Sequence, residues 1–212
     1  MRLCVFGGTG ATGRNVIQVA KSKNYEIVAV ARRPEVIEAL FPGIRIDRGD
    51  VFQPETIKTA IADSDAVIST IGPPGREKGT TIFSVGDLNI ARTMQELRKR
   101  RLIVAASLIG IDPEPDAAWS VKLFARLILQ PILGSQYHDT AKMMEKITRI
   151  DDLDWTLVGL PRLTNGKPRG SFRSSIGSLH HPFQISRADL ADCLVSIIDE
   201  PKTFRQWTEV SY

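Results

Sequence analysis

Over the first 160 residues, short aliphatic and β-branched runs alternate with longer stretches whose apolar positions recur every three or four residues. The short runs predict strands at Leu3–Phe6, Ile27–Ala31, Ile44–Arg48, Ala66–Thr70, Leu102–Ser107 and Thr156–Gly159. The longer ones predict helices at Gly13–Lys23, Glu35–Leu40, Pro54–Ile61, Asp87–Arg100 and Thr140–Ile150, with a last helix at Arg187–Asp199. Such alternation is the signature of βαβ units around a parallel sheet. The last helix has a marked start, because Ser186 precedes the apolar run and Asp189 follows three residues later, close to a capping box. Residues 112–136, with Pro113, Pro115, Trp119, Phe124 and Pro131, interrupt the alternation and read as a cover lining a pocket. No internal repeat, low-complexity tract or Ser/Pro/Gly-rich linker divides the chain, so residues 1–212 read as one domain with 112–136 and 160–186 as its substrate-side cover.

The first strand runs directly into Gly7-Gly8-Thr9-Gly10-Ala11-Thr12-Gly13, which opens the first helix. The loop satisfies both Gly8-x-Gly10-x-x-Gly13 and Gly7-x-x-Gly10-x-x-Gly13. Glycines there permit a tight turn, close approach of backbone to a pyrophosphate and close packing of helix on strand, and the helix start offers free N–H groups. Placed between a strand and a helix, the motif points to a dinucleotide. A fold that prefers NAD places a carboxylate about 20 residues further on, at the end of the second strand. Here that place reads Val30-Ala31-Arg32-Arg33-Pro34, with no acid before Glu35. Two planar guanidiniums suit a 2′-phosphate, so the expectation is NADPH over NADH, the alternative being a solvated loop pair.

Composition narrows the class further. The 212 residues are 42% hydrophobic and 25% charged, which is globular and excludes disordered, collagen-like and coiled-coil chains. Cys4 and Cys193 lie in apolar runs near opposite ends and read as buried thiols of a reducing compartment, not as a disulfide or a metal site. Only four apolar residues follow Met1-Arg2, too few for a signal-peptide core, and the apolar stretches Leu102–Ile111 and Ala117–Leu133 fall short of the ~20 residues that span a bilayer. The expectation is a cytoplasmic protein with no membrane partner. Its formal charge of +4 is unevenly placed. The 34 residues from Trp155 to Ala188 hold Arg162, Lys167, Arg169, Arg173 and Arg187 and no acid, leaving 23 Lys+Arg against 24 Asp+Glu elsewhere. A concentrated positive segment attracts anions, so it reads either as a receiver for an anionic substrate or as a solvated basic face. The run Arg98-Lys99-Arg100-Arg101 closes a helix whose C-terminal dipole favours cations and has no aromatic platform beside it, so no nucleic-acid partner is expected.

Taken in order, several segments resemble the atypical short-chain dehydrogenases/reductases of the biliverdin-IXβ reductase, or flavin reductase, group. They are the glycine loop with Arg14, Gly49-Asp50-Val51, Asp65-Ala66-Val67-Ile68 with Gly72, Ala105-Ala106-Ser107, Leu153 to Val158 followed by Pro161, and Ile185 to Ala191. The resemblance spans essentially the whole chain and implies a Rossmann-type doubly wound parallel sheet that binds NADP(H). By position it implies that Thr9 to Thr12 cradle the pyrophosphate, Arg32 and Arg33 take the 2′-phosphate, and Asp50 and Val51 border the adenine. Ile71 and Gly72 would flank the ribose, Ser107 would sit beside the nicotinamide, and Pro161 would belong to the same site.

The chain also departs from that pattern. The Tyr-x-x-x-Lys acid pair of short-chain dehydrogenases is absent. Tyr137 is five residues before Lys142, and the four-residue spacing gives His138-x-x-x-Lys142, which either replaces the tyrosine or decorates a helix surface; the second reading is preferred. Where the named reductases keep a histidine after the sixth strand, this chain has Arg162. A flavin, tetrapyrrole or quinone can take its proton from solvent, so hydride transfer to such an acceptor needs no side-chain acid. Ser107 is therefore expected to orient the acceptor or the carboxamide, and Arg162 to stabilise charge on the reduced product. The expected partners are a small anionic or conjugated acceptor and, at most, a weak homo-oligomer. The alternative is an NADP(H)-binding redox sensor without turnover. A sugar-nucleotide epimerase is disfavoured because those enzymes keep the Tyr/Lys pair.

Overall fold

The computed structural model describes residues 1–73, 80–106 and 130–212, with the side chains of 130–133 excepted. Within them the chain runs β1 (Arg2–Phe6), α1 (Ala11–Ser22), β2 (Glu26–Ala31), α2 (Pro34–Glu38), β3 (Arg45–Arg48), a 3₁₀ turn (Pro54–Thr56), α3 (Lys58–Ala62) and β4 (Ala66–Ser69). A π-helix (Ile82–Asp87) leads into α4 (Leu88–Glu96), then come β5 (Arg101–Ala106), α5 (Gln130–Ile147), β6 (Asp154–Gly159), β7 (Arg162–Thr164), β8 (Arg173–Ile176) and β9 (Gln184–Ser186). The last elements are α6 (Arg187–Ser196), a second 3₁₀ turn (Pro201–Thr203) and β10 (Gln206–Ser211).

The strands order as β3-β2-β1-β4-β5-β6-β10-β8, and β7 pairs with β9 in a separate two-stranded sheet. From β3 to β10 neighbouring strands pair in parallel, and β8 closes that edge antiparallel to β10. Period-two alternation assigns the two faces. Leu3 and Val5 of β1 and Ile103 and Ala105 of β5 pack under α1 and α6, with Val16, Ile17, Leu190 and Leu194. Cys4, Phe6, Leu102 and Val104 face the opposite layer, with Ile61 of α3, Met94 of α4 and Met143 of α5. A strand buried on both faces reads as a continuous apolar run, which is why these strands stand out in the sequence.

Element boundaries moved where side chains, not periodicity, decide them. The predicted Asp87–Arg100 helix ends at Glu96, because Arg98 takes a left-handed φ of 55° and Lys99 N donates to the Met94 carbonyl. That is a Schellman stop built on arginine instead of glycine. At the other end, α4 starts at Leu88, and Asp87, helical in its backbone, is the last residue of the π-helix. Helix α5 begins at Gln130, ten residues before the predicted start, so the predicted cover gives way to helix; 112–129 lie outside the described residues. Strand β10, absent from the sequence reading, extends the sheet beside β6, carrying Glu209 buried between Leu179 N at 2.7 Å and Trp207 Nε1 at 3.1 Å. Arg101, read as one of a basic run, is buried and ties α6 down. Its guanidinium donates to the carbonyls of Ile197 (2.6 Å), Ile198 (2.7 Å) and Asp154 (2.7 Å) and to Thr156 Oγ1 (2.8 Å), and stacks on Phe204. No helix among the described residues is long and apolar enough to cross a membrane.

Candidate functional site

Strand order reverses between β1 and β4, and in open parallel sheets ligands bind beyond the carboxyl ends at such a switch point. A groove of about 340 Å³ opens there. Its walls gather Gly7, Thr9 and Gly10 from the glycine loop, Arg32 and Arg33 from the end of β2, Asp50 and Val51 after β3, and Ile71 and Gly72 after β4. Residues predicted from four separate stretches of sequence thus line one concavity.

The glycine loop has the shape that a phosphate cradle requires. Gly7 adopts φ +80°, and a Cβ there would lie 2.5 Å from the Thr70 carbonyl oxygen. A Cβ on Gly13 would lie 2.3 Å from the Gly7 oxygen and 2.9 Å from Gly8 Cα, so helix and loop approach as closely as backbone allows. Gly10 N donates to the Gly7 carbonyl at 2.9 Å and closes the turn. No side chain caps α1 at Gly10 and no acid occupies its first turn, which contains Ala11, Thr12 and Gly13. Among the described residues no side chain thus caps the opening N–H groups at the positive end of the helix dipole, and Gly10, where the helix starts, lines the groove.

At the β2 end of the groove, Arg32 and Arg33 are both exposed. Arg48 donates to the Arg32 carbonyl at 3.1 Å and lies 3.7 Å from Glu35, tying the turn from the β3 side. After β3, Asp50 Oδ1 accepts Phe52 N at 3.0 Å, and Asn89 of α4 donates to the Val51 carbonyl at 2.8 Å. The groove is also lined by residues that the sequence reading did not assign to it, Arg14, Phe52 and Ile82 among them. Arg14, whose Nε holds the Thr9 carbonyl at 3.1 Å, was in view within the motif; Phe52 and Ile82 carried no signal.

Behind the β4 wall lies a pair of buried acids. Ser69 Oγ donates to Asp87 Oδ1 at 2.5 Å, and both residues are 1% exposed. Asp139 of α5 accepts Phe83 N at 2.8 Å and Ser84 N at 3.2 Å, holding the start of the π-helix. Desolvation pushes the Asp87 carboxyl up to about 8; Asp139 adds to the rise and the Ser69 hydrogen bond opposes it. The two thiols match the sequence expectation of burial: desolvation raises Cys4 well above the ordinary range and Cys193 to about 12.

Ser107 lies outside the described residues. Pro161, between β6 and β7, is buried, and Arg162, the first residue of β7, is exposed; neither is among the groove's lining. His138 and Lys142 are exposed on α5, in keeping with a decorated surface. Within the basic segment, Arg173 donates to the carbonyls of His180, His181 and Tyr212, and Arg187 donates to Asn165 Oδ1 at 2.7 Å. Arg169 stacks on the Tyr212 ring at 3.9 Å. These three guanidiniums knit the 160–186 excursion to the sheet, leaving Arg162 and Lys167 as the cations of that segment without an ion pair or hydrogen bond among the described residues. Asp189 anchors the same excursion. Burial acts to raise its carboxyl, but hydrogen bonds from the Tyr212 hydroxyl, Arg169 N, Ser186 and Gly170 N prevail and hold it below the usual range.

A family model described as NAD(P)H-binding matches residues 7–201. The photosystem II assembly factor Ycf39 of Synechocystis is 30% identical over 107 residues, 49% of this chain, and the chain spans only about a third of that relative (32%). Two solved structures share the fold over the full chain. ChuY, an anaerobilin reductase from Escherichia coli, has a TM-score of 0.79 at 18% identity, with 97% of its chain covered. A short-chain dehydrogenase/reductase from Veillonella parvula in complex with NADP has a TM-score of 0.78 at 15% identity, with 94% covered.

Proposed function

The chain belongs to the NAD(P)H-binding family, and we propose that it is an NADPH-dependent reductase passing hydride to a flavin-like, tetrapyrrole or quinone acceptor. The observation that carries this reading is the groove where an uncapped helix start meets two exposed arginines at the end of β2, with no carboxylate at that strand end. First-turn N–H groups of α1 hold the pyrophosphate, Arg32 and Arg33 the 2′-phosphate, Asp50 and Val51 border the adenine, and Ile71 and Gly72 flank the ribose. When bound, the reduced nicotinamide supplies the hydride, two electrons with one proton, and is itself oxidised. Ser107, next in sequence after the end of β5, orients the acceptor or the carboxamide. Arg162 stabilises negative charge on the reduced product, and Pro161 completes the wall between them.

An acceptor that draws its second proton from water fits a chain whose His138 and Lys142 are exposed instead of assembled as an acid pair. The E. coli neighbour is an anaerobilin reductase, which supports a tetrapyrrole among the acceptors. The same exposed pair favours a second reading, a sensor that binds NADP(H) without turnover. The test is absorbance at the nicotinamide band with purified protein, NADPH or NADH, and FMN, FAD, biliverdin or a quinone. NADPH oxidation with one of them, faster than NADH oxidation, is expected. Tight NADPH binding with no oxidation by any acceptor would instead assign the sensor, and a preference for NADH would overturn the roles of Arg32 and Arg33.

A further inference from the structure

Among the described residues, Asp87 is the one buried carboxyl with an idle oxygen. Its Oδ1 is held by Ser69, whereas Oδ2 is shielded from solvent and has no hydrogen-bond partner. Asp139, across the π-helix, has both oxygens engaged by backbone N–H groups. An ionised Asp87 would therefore place charge on an unpartnered oxygen in an apolar layer near a second carboxyl, an arrangement that costs far more than a neutral acid does. The charge that acts on Asp87 is Asp139 of α5. His138 and Lys142 of α5 and Arg92 of α4 are exposed, and β4 presents only the Ser69 hydroxyl.

Location gives this acid a reach into the groove. Ser69 is the last residue of β4, and Thr70, Ile71 and Gly72 follow it as groove wall. The π-helix that ends at Asp87 places Ile82 in the groove, and a Cβ on Gly86 would lie 2.8 Å from Val51 Cγ2 and 3.1 Å from Ile71 Cδ1. Asp87, buried against the end of β4, thus sits directly behind the backbone segment that supports Val51 and Ile71. A π-turn is the kind of irregularity that concentrates at functional sites.

We propose that Asp87 is a positioning residue for the dinucleotide: as a neutral acid it stays dry behind the Val51–Ile71 wall and holds it in place, and its ionisation draws water to the unpartnered Oδ2, which loosens that wall and weakens cofactor binding. This rests on the reading that Val51 and Ile71 border the cofactor.

The experiment measures the dissociation constant of NADPH by tryptophan fluorescence or calorimetry from pH 7 to 9.5. That window lies above the second phosphate ionisation near 6, and NADH, without the 2′-phosphate, serves as control. If only the neutral form binds, apparent affinity follows its population, so with a midpoint near 8 the wild type binds about tenfold more weakly at pH 9 than at pH 7. Asp87→Asn flattens the profile for both nucleotides. Ser69→Ala, which removes the bond that favours the charged form, moves the midpoint to higher pH and keeps the test open if D87N misfolds. A wild-type profile without the alkaline loss, or the same loss in D87N, overturns the proposal while leaving the groove assignment standing. No NADPH binding by the folded wild type at any pH overturns the groove assignment and the proposal together.

Discussion

Replacing Arg32 and Arg33 together by glutamine removes both positive charges at the end of β2 and keeps polar side chains of similar reach. The backbone turn survives, because Arg48 grips the main-chain carbonyl of Arg32, not its side chain. A hydrogen bond to a charged group is worth about 1.5–3 kcal/mol when sheltered. Both guanidiniums are exposed, so solvent screening reduces each to about 1 kcal/mol. Losing two such contacts raises the NADPH dissociation constant roughly 30-fold, and NADH, with nothing at the 2′ position, changes less than about twofold on the same reasoning. Titration of both nucleotides into wild type and double variant at 0.15 M salt measures the contrast, and repeating it at 1 M salt shrinks the difference because the Debye length falls from about 8 to about 3 Å. Equal losses for NADPH and NADH would show that the arginines merely shape the turn. No loss for either would place the 2′-phosphate elsewhere.

Gly13→Ala should lower stability by about 2 kcal/mol or more in urea unfolding, although alanine in a helix ordinarily gains ~1 kcal/mol over glycine, because its methyl would meet the Gly7 backbone at 2.3 Å; a stabilised variant would mean that the loop yields. Arg101→Ala leaves the carbonyls of Ile197 and Ile198 without their buried donor and should cost about 3–5 kcal/mol, whereas a loss under 1 kcal/mol would show that α6 is anchored by packing alone. For Asp87 the sign follows from a folded value near 8 against an ordinary 3.8: its contribution to stability is full below pH ~4 and is lost as pH rises toward 8. Asp87→Asn should escape that fall, gaining on the wild type by up to about 5 kcal/mol at pH 8, and parallel stability curves would refute the neutral assignment.

What could be read from the chain alone was whatever is encoded within a few residues of itself. The glycine loop is such a case, since its turn, its helix and its close contacts all involve residues 7–13. So is the start of α6, where Ser186 Oγ accepts Asp189 N at 3.0 Å as the spacing predicts. The same Asp189 also receives Arg169 N at 2.8 Å and Gly170 N at 3.0 Å, partners some twenty residues away that no local pattern signals. Strand β10 was invisible for a related reason. Its Gln206, Thr208 and Glu209 spoil an apolar run, and they are tolerated because β6 and β8 supply the ladder and Leu179 N and Trp207 Nε1 satisfy the carboxylate.

Asp87 marks the limit of sequence pattern most sharply. In sequence it stands where a helix cap would, the commonest and least costly place for an aspartate. In the fold it closes the π-helix just before α4 and lies in the layer between β4 and α5, so the same carboxyl loses solvent and feels the charge of Asp139. Periodicity reports which face a residue occupies, whereas the free energy of its charge depends on which elements close over that face. The dinucleotide groove follows the same division. Its loop and its arginines are local motifs, but their convergence with Val51 and Ile71 depends on strand order, and the acid that backs those two residues is recognisable only once the layers have closed.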